Sequence, residues 1–98
     1  MNYILKDKTP VPCDDEDLWN AWFTPENFEI ATYNADPQII KILFMGKPML
    51  WPNCDDIKFF KVSVFLKAVV VQSTFHSTWE EAMVAYDRQI YNYVSTCH

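Results

Sequence analysis

The ten residues 57–66, IKFFKVSVFL, decide the fold because their side chains alternate in character. In a β-strand, successive side chains point to opposite faces of the sheet. One face of this strand is wholly apolar and consists of Phe60, Val62, Val64 and Leu66. The other face is mixed and consists of Phe59, Lys61, Ser63, Phe65 and Lys67. The alternation predicts a strand that packs its apolar face on a core.

Strand patterns also precede this segment. Residues 28–34 (FEIATYN) and 38–45 (QIIKILFM) predict two strands joined by a turn at NADP, with Ile40, Ile42 and Phe44 on one face of the second strand. Gly46 and two prolines then predict a loop over residues 46–56, GKPMLWPNCDD.

The remaining extended segments are less regular. Residues 69–75 predict a strand, but LKAV at 66–69 lacks the usual turn residues, so the flanking segments form either a hairpin or one bent strand. At the start of the chain, residues 3–5 predict a short strand. A turn and an extended segment follow in KDKTPVP, because a residue before proline avoids helical conformation.

Two helices are predicted. The first begins after Pro12, with Asp14 as N-cap and Asp17 at the capping-box position, and TPEN at 24–27 ends it. Its apolar face consists of Leu18, Trp19, Trp22 and Phe23. The second has Ser77 and Glu80 as a capping box. Its apolar positions recur at helical spacing: Trp79, Ala82, Met83, Tyr86, Ile90 and Tyr93.

These elements predict an α+β fold in the order β-α-β-β-β-β-α. We expect an antiparallel sheet of three to five strands with both helices on one face. The 98 residues, half of them hydrophobic, are enough for one core, so residues 1–98 are predicted to form a single domain.

Composition excludes several function classes. The net charge of −5 argues against nucleic-acid binding, because that affinity comes from Lys and Arg on phosphates. The single glycine, Gly46, rules out glycine-rich phosphate loops. No apolar run is long enough to span a membrane. Three cysteines and no apparent signal peptide favour a reduced, cytoplasmic protein.

Catalytic and metal-site patterns are weak. A nucleophile–base pair would have to combine Cys13 or Cys54 with His76, and no spacing indicates it. Closely paired Cys or His ligands are missing, so we expect no metal, no cofactor and no enzyme activity. The two Cys-Asp-Asp segments are interpreted as a helix start at 13–15 and a turn at 54–56.

The mixed sheet face is the predicted contact surface: Phe59, Lys61, Phe65 and Lys67, together with Trp51 of the loop. Such a face is too apolar to remain in water if both helices cover the other side. We expect it to be covered by a second copy of the chain, by a host protein or by the N-terminal segment. Trp51 is either an interface anchor or a tryptophan folded back on the core.

Two segments resemble a group of small bacteriophage and prophage proteins: YILKDKTPVPCDDEDLWNAWF at 3–23 and HSTWEEAMVAYDRQI at 76–90. The shared pattern is a PVP…D…W…WF opening and a STWEEA helix. The chain differs from that group in having KPMLWPNCDD in place of a glycine-rich loop, and Tyr86 in place of a histidine. The resemblance implies no particular activity, but it implies an accessory protein acting in the host bacterial cytoplasm.

The sequence therefore predicts a small phage-type protein that acts by protein–protein binding, for example by inhibiting a host or defence factor. Two alternatives remain open: a protein that sequesters a small molecule such as a nucleotide signal, and a structural homo-oligomer. The predicted partner is a host protein or the protein's own copy.

Overall fold

The computed structural model describes residues 2–50 and 57–96, with side chains described as far as residue 93. Two antiparallel sheets are present in this part of the chain: a β1–β2 hairpin and a four-stranded sheet in the chain order β3-β4-β5-β6. The elements are β1 (Asn2–Lys6), β2 (Thr9–Cys13), α1 (Glu16–Trp22), α2 (Pro25–Phe28), β3 (Glu29–Ala35), β4 (Gln38–Met49), β5 (Lys58–Leu66), β6 (Val69–His76) and α3 (Trp79–Thr96). The predicted α+β class is confirmed, with β2 and α2 added to the predicted order.

The core lies on one face of the two central strands. Their buried residues are Ile40, Ile42 and Phe44 on β4 and Phe60, Val62 and Val64 on β5. Ile42 pairs with Val62 in the antiparallel register, so the apolar faces of the two strands coincide. Each such side chain stabilises the fold by roughly 1.5–3 kcal/mol when it is fully buried. The predicted alternation is confirmed for these six residues, whereas Leu66 at the end of β5 is exposed.

Helix α3 crosses this core face obliquely. Its first residue, Trp79, makes an edge contact with Phe60 of β5 at 6.3 Å between ring centroids. Near its other end, the Tyr93 hydroxyl donates a hydrogen bond to the Ala35 carbonyl of β3 over 3.3 Å. The predicted helical repeat is confirmed, since Ala82 and Tyr86 between these contacts are buried. The helix therefore covers β5 and β6 at one end and β3 at the other.

Helix α1 packs its aromatic residues on the same core. Trp22 makes an edge contact with Phe44 at 5.8 Å, and Trp19 stacks on Phe23 at 4.6 Å. The indole nitrogen of Trp19 also donates to the Tyr3 carbonyl over 2.8 Å, which ties the helix to β1. Leu18 was predicted on this apolar face, but it is exposed.

Both helix starts lie one residue later than predicted. Asp15, not Asp14, is the N-cap of α1, and its carboxylate accepts from the Leu18 N–H over 3.1 Å. Asp17 is therefore not a capping-box partner but an acid in the first turn, where the helix dipole favours it.

The start of α3 shows the same shift. Thr78 Oγ1 accepts from the Glu81 N–H over 3.2 Å, and Glu81 Oε2 accepts from the Ser77 N–H over 3.4 Å. The capping prediction for Ser77 and Glu80 was therefore wrong by one residue. Spacing alone does not distinguish adjacent candidates, because Ser and Thr are both good N-cap residues.

The β1–β2 and β5–β6 hairpins each turn on two non-glycine residues with positive φ. Asp7 and Lys8 have φ of 51° and 67°, and Lys67 and Ala68 have φ of 52° and 66°. Two residues with positive φ form the turn that suits the twist of a tight hairpin. The alternative of one bent strand over residues 57–75 is therefore wrong, because β5 and β6 form a hairpin. The extended segment predicted after KDK is β2, which pairs with β1.

Strand β4 continues to Met49, so residues 46–49 are not part of a loop as predicted. Gly46 has φ of 74° and lies beneath α1. A Cβ there would be 2.6 Å from Cε2 of Phe23 and 2.9 Å from Cζ2 of Trp19. Only glycine allows this close approach of helix to strand.

The predictions for Trp51, Cys54, Asp55 and Asp56 lie outside the described residues.

Candidate protein-binding surface

The outer face of the four-stranded sheet, which points away from α1 and α3, is partly covered by its own lysines. Lys41 Nζ lies 5.9 Å from the centroid of the Phe65 ring, and Lys61 Nζ lies at the same distance from that of Phe75. The aliphatic stems of lysines can shield apolar surface while their ammonium groups reach water. Phe65 and Lys61 are thus on the predicted face, but each is half-buried.

Ser63 lies at the centre of this outer face. It is only 1% exposed, and its hydroxyl is 3.2 Å from that of Ser73 on β6. The pair satisfies two hydroxyls that would otherwise be costly to remove from water. The centre of the outer face is therefore buried, and a hydrogen bond between the side chains of β5 and β6 lies there.

Two of the predicted contact residues are not on an open surface. The Phe59 ring makes an edge contact with Tyr3 of β1 at 4.9 Å and packs against the core residues. This placement corrects the prediction that Phe59 is available to a partner, because the N-terminal hairpin covers it. Lys67 is not on the outer face either, because β5 ends at Leu66 and Lys67 lies in the turn. Its backbone N–H donates there to the Pro37 carbonyl over 3.0 Å.

An exposed apolar surface lies instead at the turn of the β5–β6 hairpin. We call it the apolar corner and define it as Leu66, Val69, Val70 and Val71. Their exposed fractions are 43%, 63%, 49% and 56%. These four residues are adjacent in the hairpin, because Leu66 pairs with Val69 and the pair Phe65–Val70 follows.

The path of α3 explains why the corner is bare. The helix begins beside Phe60, at the opposite end of the hairpin, and runs towards β3. It therefore leaves the core-side face at the turn, with Leu66 and Val69, without a covering layer, whereas Val70 pairs with Phe65 on the outer face. The strand register also shifts by one residue at Val71, between the pairs Val64–Gln72 and Phe65–Val70. Such a bulge breaks the alternation that would bury every second side chain.

The two edges of the sheet differ in how they are protected. On β3, Glu29 forms an ion pair with Lys41 over 3.5 Å and accepts a hydrogen bond from Thr32. The pKa of the Glu29 carboxyl is lowered, chiefly by that Thr32 hydrogen bond and also by Lys41. The Tyr93 hydroxyl contacts the other end of β3 at Ala35. Charge and a covering side chain are common protections of an edge strand.

Strand β6 lacks these protections in its sequence. Its eight residues, VVVQSTFH, include no Lys, Arg, Asp, Glu, Pro or Gly. An apolar, uncharged edge strand is a template for pairing with another strand. The strand was predicted from sequence, but its exposure was not, because the exposure depends on the path that α3 takes across the sheet.

Two of the residues considered for catalysis, Cys13 and His76, have other partners, and the third, Cys54, lies outside the described residues. Cys13 is buried, and its thiol donates to the Asp15 carbonyl over 3.5 Å. His76 Nε2 is 2.8 Å from Thr74 Oγ1, and burial is the main cause of its lowered pKa. Within residues 2–50 and 57–96, no group of three or more His, Cys, Asp or Glu side chains is placed to hold a metal.

Two shallow hollows are the candidate small-molecule sites. One, of about 350 Å³, is lined by Asn2, Cys13, Asp14 and Glu16. The other, of about 180 Å³, lies between the β1–β2 turn and the start of α3 and includes Lys8 and Trp79. Its lining also includes Asp7 and Glu80, so both hollows carry carboxylates.

A scan of the chain against protein-family models found no match, and searches of curated proteins and solved structures also found none. The resemblance to phage proteins therefore stays a prediction. No helix in the described part of the chain is long and apolar enough to cross a membrane.

Proposed function

We propose that this protein acts by protein–protein binding, without catalysis, and that the apolar corner is its contact surface. The observation that carries the proposal is the exposure of three consecutive valines on an edge strand that contains no charge. Contiguous exposed apolar surface on a small protein marks contact sites, and a strand edge adds backbone groups that a partner strand can bind.

The proposed contact surface is the apolar corner, whereas the sequence predicted the outer face of the sheet. The outer face is partly shielded by Lys41 and Lys61, and Phe59 is covered by Tyr3. At the apolar corner, by contrast, at least two-fifths of each side chain is exposed. Burying these side chains against a partner would remove apolar area from water, a transfer worth roughly 25 cal/mol per Å² before the entropy cost of association is subtracted.

A phage-type accessory role in a host cytoplasm, including inhibition of a host or defence factor, is part of the same proposal and is supported only by the sequence resemblance.

Sequestration of a nucleotide is a weaker candidate. Asp14 and Glu16 line one hollow and would repel phosphate, and the hollow beside Lys8 is smaller than the roughly 300–1,000 Å³ of typical ligand pockets.

The test compares three immobilised proteins as baits for bacterial lysate: the wild type, Val71→Lys and Val84→Lys. Val71 and Val84 are 56% and 58% exposed, so the same charge is added at matched exposure, once in the corner and once on α3. We expect mass spectrometry to identify protein that the wild type and Val84→Lys retain and Val71→Lys loses. Identical sets on all three baits would contradict the corner as a surface that binds a host protein.

A further inference from the structure

We propose that the occupant of the β6 edge is a second copy of this chain, paired with it antiparallel about a two-fold axis. The proposal rests on the proposed function, because it names the partner for the same apolar corner. The two four-stranded sheets would join at β6 into one continuous sheet.

The backbone of β6 suits this pairing. The strand ends the order β3-β4-β5-β6, so β5 is its neighbour on one side within the described sheet. Its eight residues include no proline, and in an antiparallel strand alternate backbone N–H groups point away from the neighbouring strand, so about half of those in β6 point towards the edge. An antiparallel strand and its own copy are complementary, since a two-fold axis pairs each residue with the equivalent position of the other.

The charges that flank β6 favour the antiparallel direction. Lys67 lies in the turn, two residues before the strand, and Glu80 follows the strand in the first turn of α3. A two-fold axis near the middle of β6 sets the Lys67 end of each copy against the Glu80 end of the other. Parallel pairing would instead place like charges together, which is unfavourable.

The uncharged strand also distinguishes β6 as the place for self-association. The chain carries a net charge of −5, so contacts between two copies elsewhere tend to bring acids together. No Asp, Glu, Lys or Arg lies within Val69–His76. The middle of β6 falls between Gln72 and Ser73, so Val71 would lie inside the paired stretch and bury apolar surface there.

The first test measures the molar mass of the purified protein by sedimentation equilibrium from about 1 to about 500 µM, a range that covers weak to moderate affinities. We expect the mass to rise from 11.6 kDa towards twice that value. Val71→Lys should weaken dimerisation at least tenfold by placing an ammonium group from each copy inside the paired stretch, whereas Val84→Lys should leave it unchanged. Circular dichroism of both variants checks that they are folded.

A charge exchange gives a second, independent test. Lys67→Glu and Glu80→Lys should each weaken the dimer a few-fold, and the double variant should restore the wild-type dissociation constant. Both side chains are exposed, so the changes should leave the monomer folded. Additive weakening in the double variant would overturn the antiparallel arrangement.

The remaining outcomes separate this inference from the proposed function. A wild type that stays monomeric throughout the concentration range overturns self-pairing. If such a monomer captures a lysate protein that Val71→Lys loses, the corner remains a binding surface, but its occupant is a different protein. A dimer that Val71→Lys and Val84→Lys weaken equally also overturns the β6 interface. Monomeric protein with identical lysate capture by all baits would overturn both proposals.

Discussion

At one end of the β5–β6 hairpin, Phe60 and His76 pair beside Trp79, whereas at the other end Leu66 and Val69 pair in contact with solvent. Both ends belong to the same two strands and carry large side chains. They differ in what lies above them, because α3 begins over the first end and runs away from the second. Which apolar residues are available for binding is thus set by the path of the helix rather than by the strands themselves.

The largest expected effect tests the difference in burial directly. Phe60→Ala removes a ring that is fully buried between Phe44 and Trp79 and should reduce the free energy of unfolding by about 3–5 kcal/mol. Leu66→Ala, at the exposed end, should cost less than about 1 kcal/mol. Urea denaturation of both variants measures the two values. Equal losses would mean that the corner is part of the core.

Much of this arrangement follows from sequence because local patterns determine it. Alternation in residues 57–66 identified the buried face, and the helical repeat from Trp79 to Tyr93 identified α3. These patterns are visible because each element must bury one side. The same reasoning explains the errors in the caps, where Thr78 and Asp15 have equally suitable neighbours.

The contact surface was less predictable, since it depends on tertiary geometry. Phe59 has the pattern of an outer-face residue, yet Tyr3, more than fifty positions away, covers it. The turn at Lys67 and Ala68 has no glycine or asparagine, so sequence left the hairpin undecided. Without that turn, Val69 and Val70 could not be placed at a corner.

An effect of intermediate size tests how the start of α3 is fixed at the end of the hairpin that the helix covers, which we call the covered end. Thr78→Ala removes the hydroxyl that accepts from the Glu81 N–H and should cost about 1 kcal/mol of stability. Ser77→Ala should be neutral or slightly stabilising, because Ser77 Oγ is buried and has no hydrogen-bond partner among the described residues. Thermal unfolding of the two single variants gives the comparison. A larger loss for Ser77→Ala would restore the cap predicted from sequence.

The smallest expected effect concerns His76, which marks the covered end by its titration. Burial is the main cause of its pKa being lowered from 6.5, Lys58 lowers it further, and Glu81 acts in the opposite direction. In the unfolded chain His76 therefore binds a proton at a higher pH than in the folded protein. Stability should fall as pH decreases through 6.5 towards the folded pKa and should change no further from this source below that pKa.

His76→Gln should flatten this part of the stability profile between about pH 8 and pH 5, the range in which histidine titrates. The second histidine, His98, is common to both proteins, so the difference between their profiles isolates His76. Urea midpoints at a series of pH values provide the measurement. Parallel profiles would show that folding leaves the pKa of His76 unchanged, and burial by α3 would then not be what distinguishes this end of the hairpin.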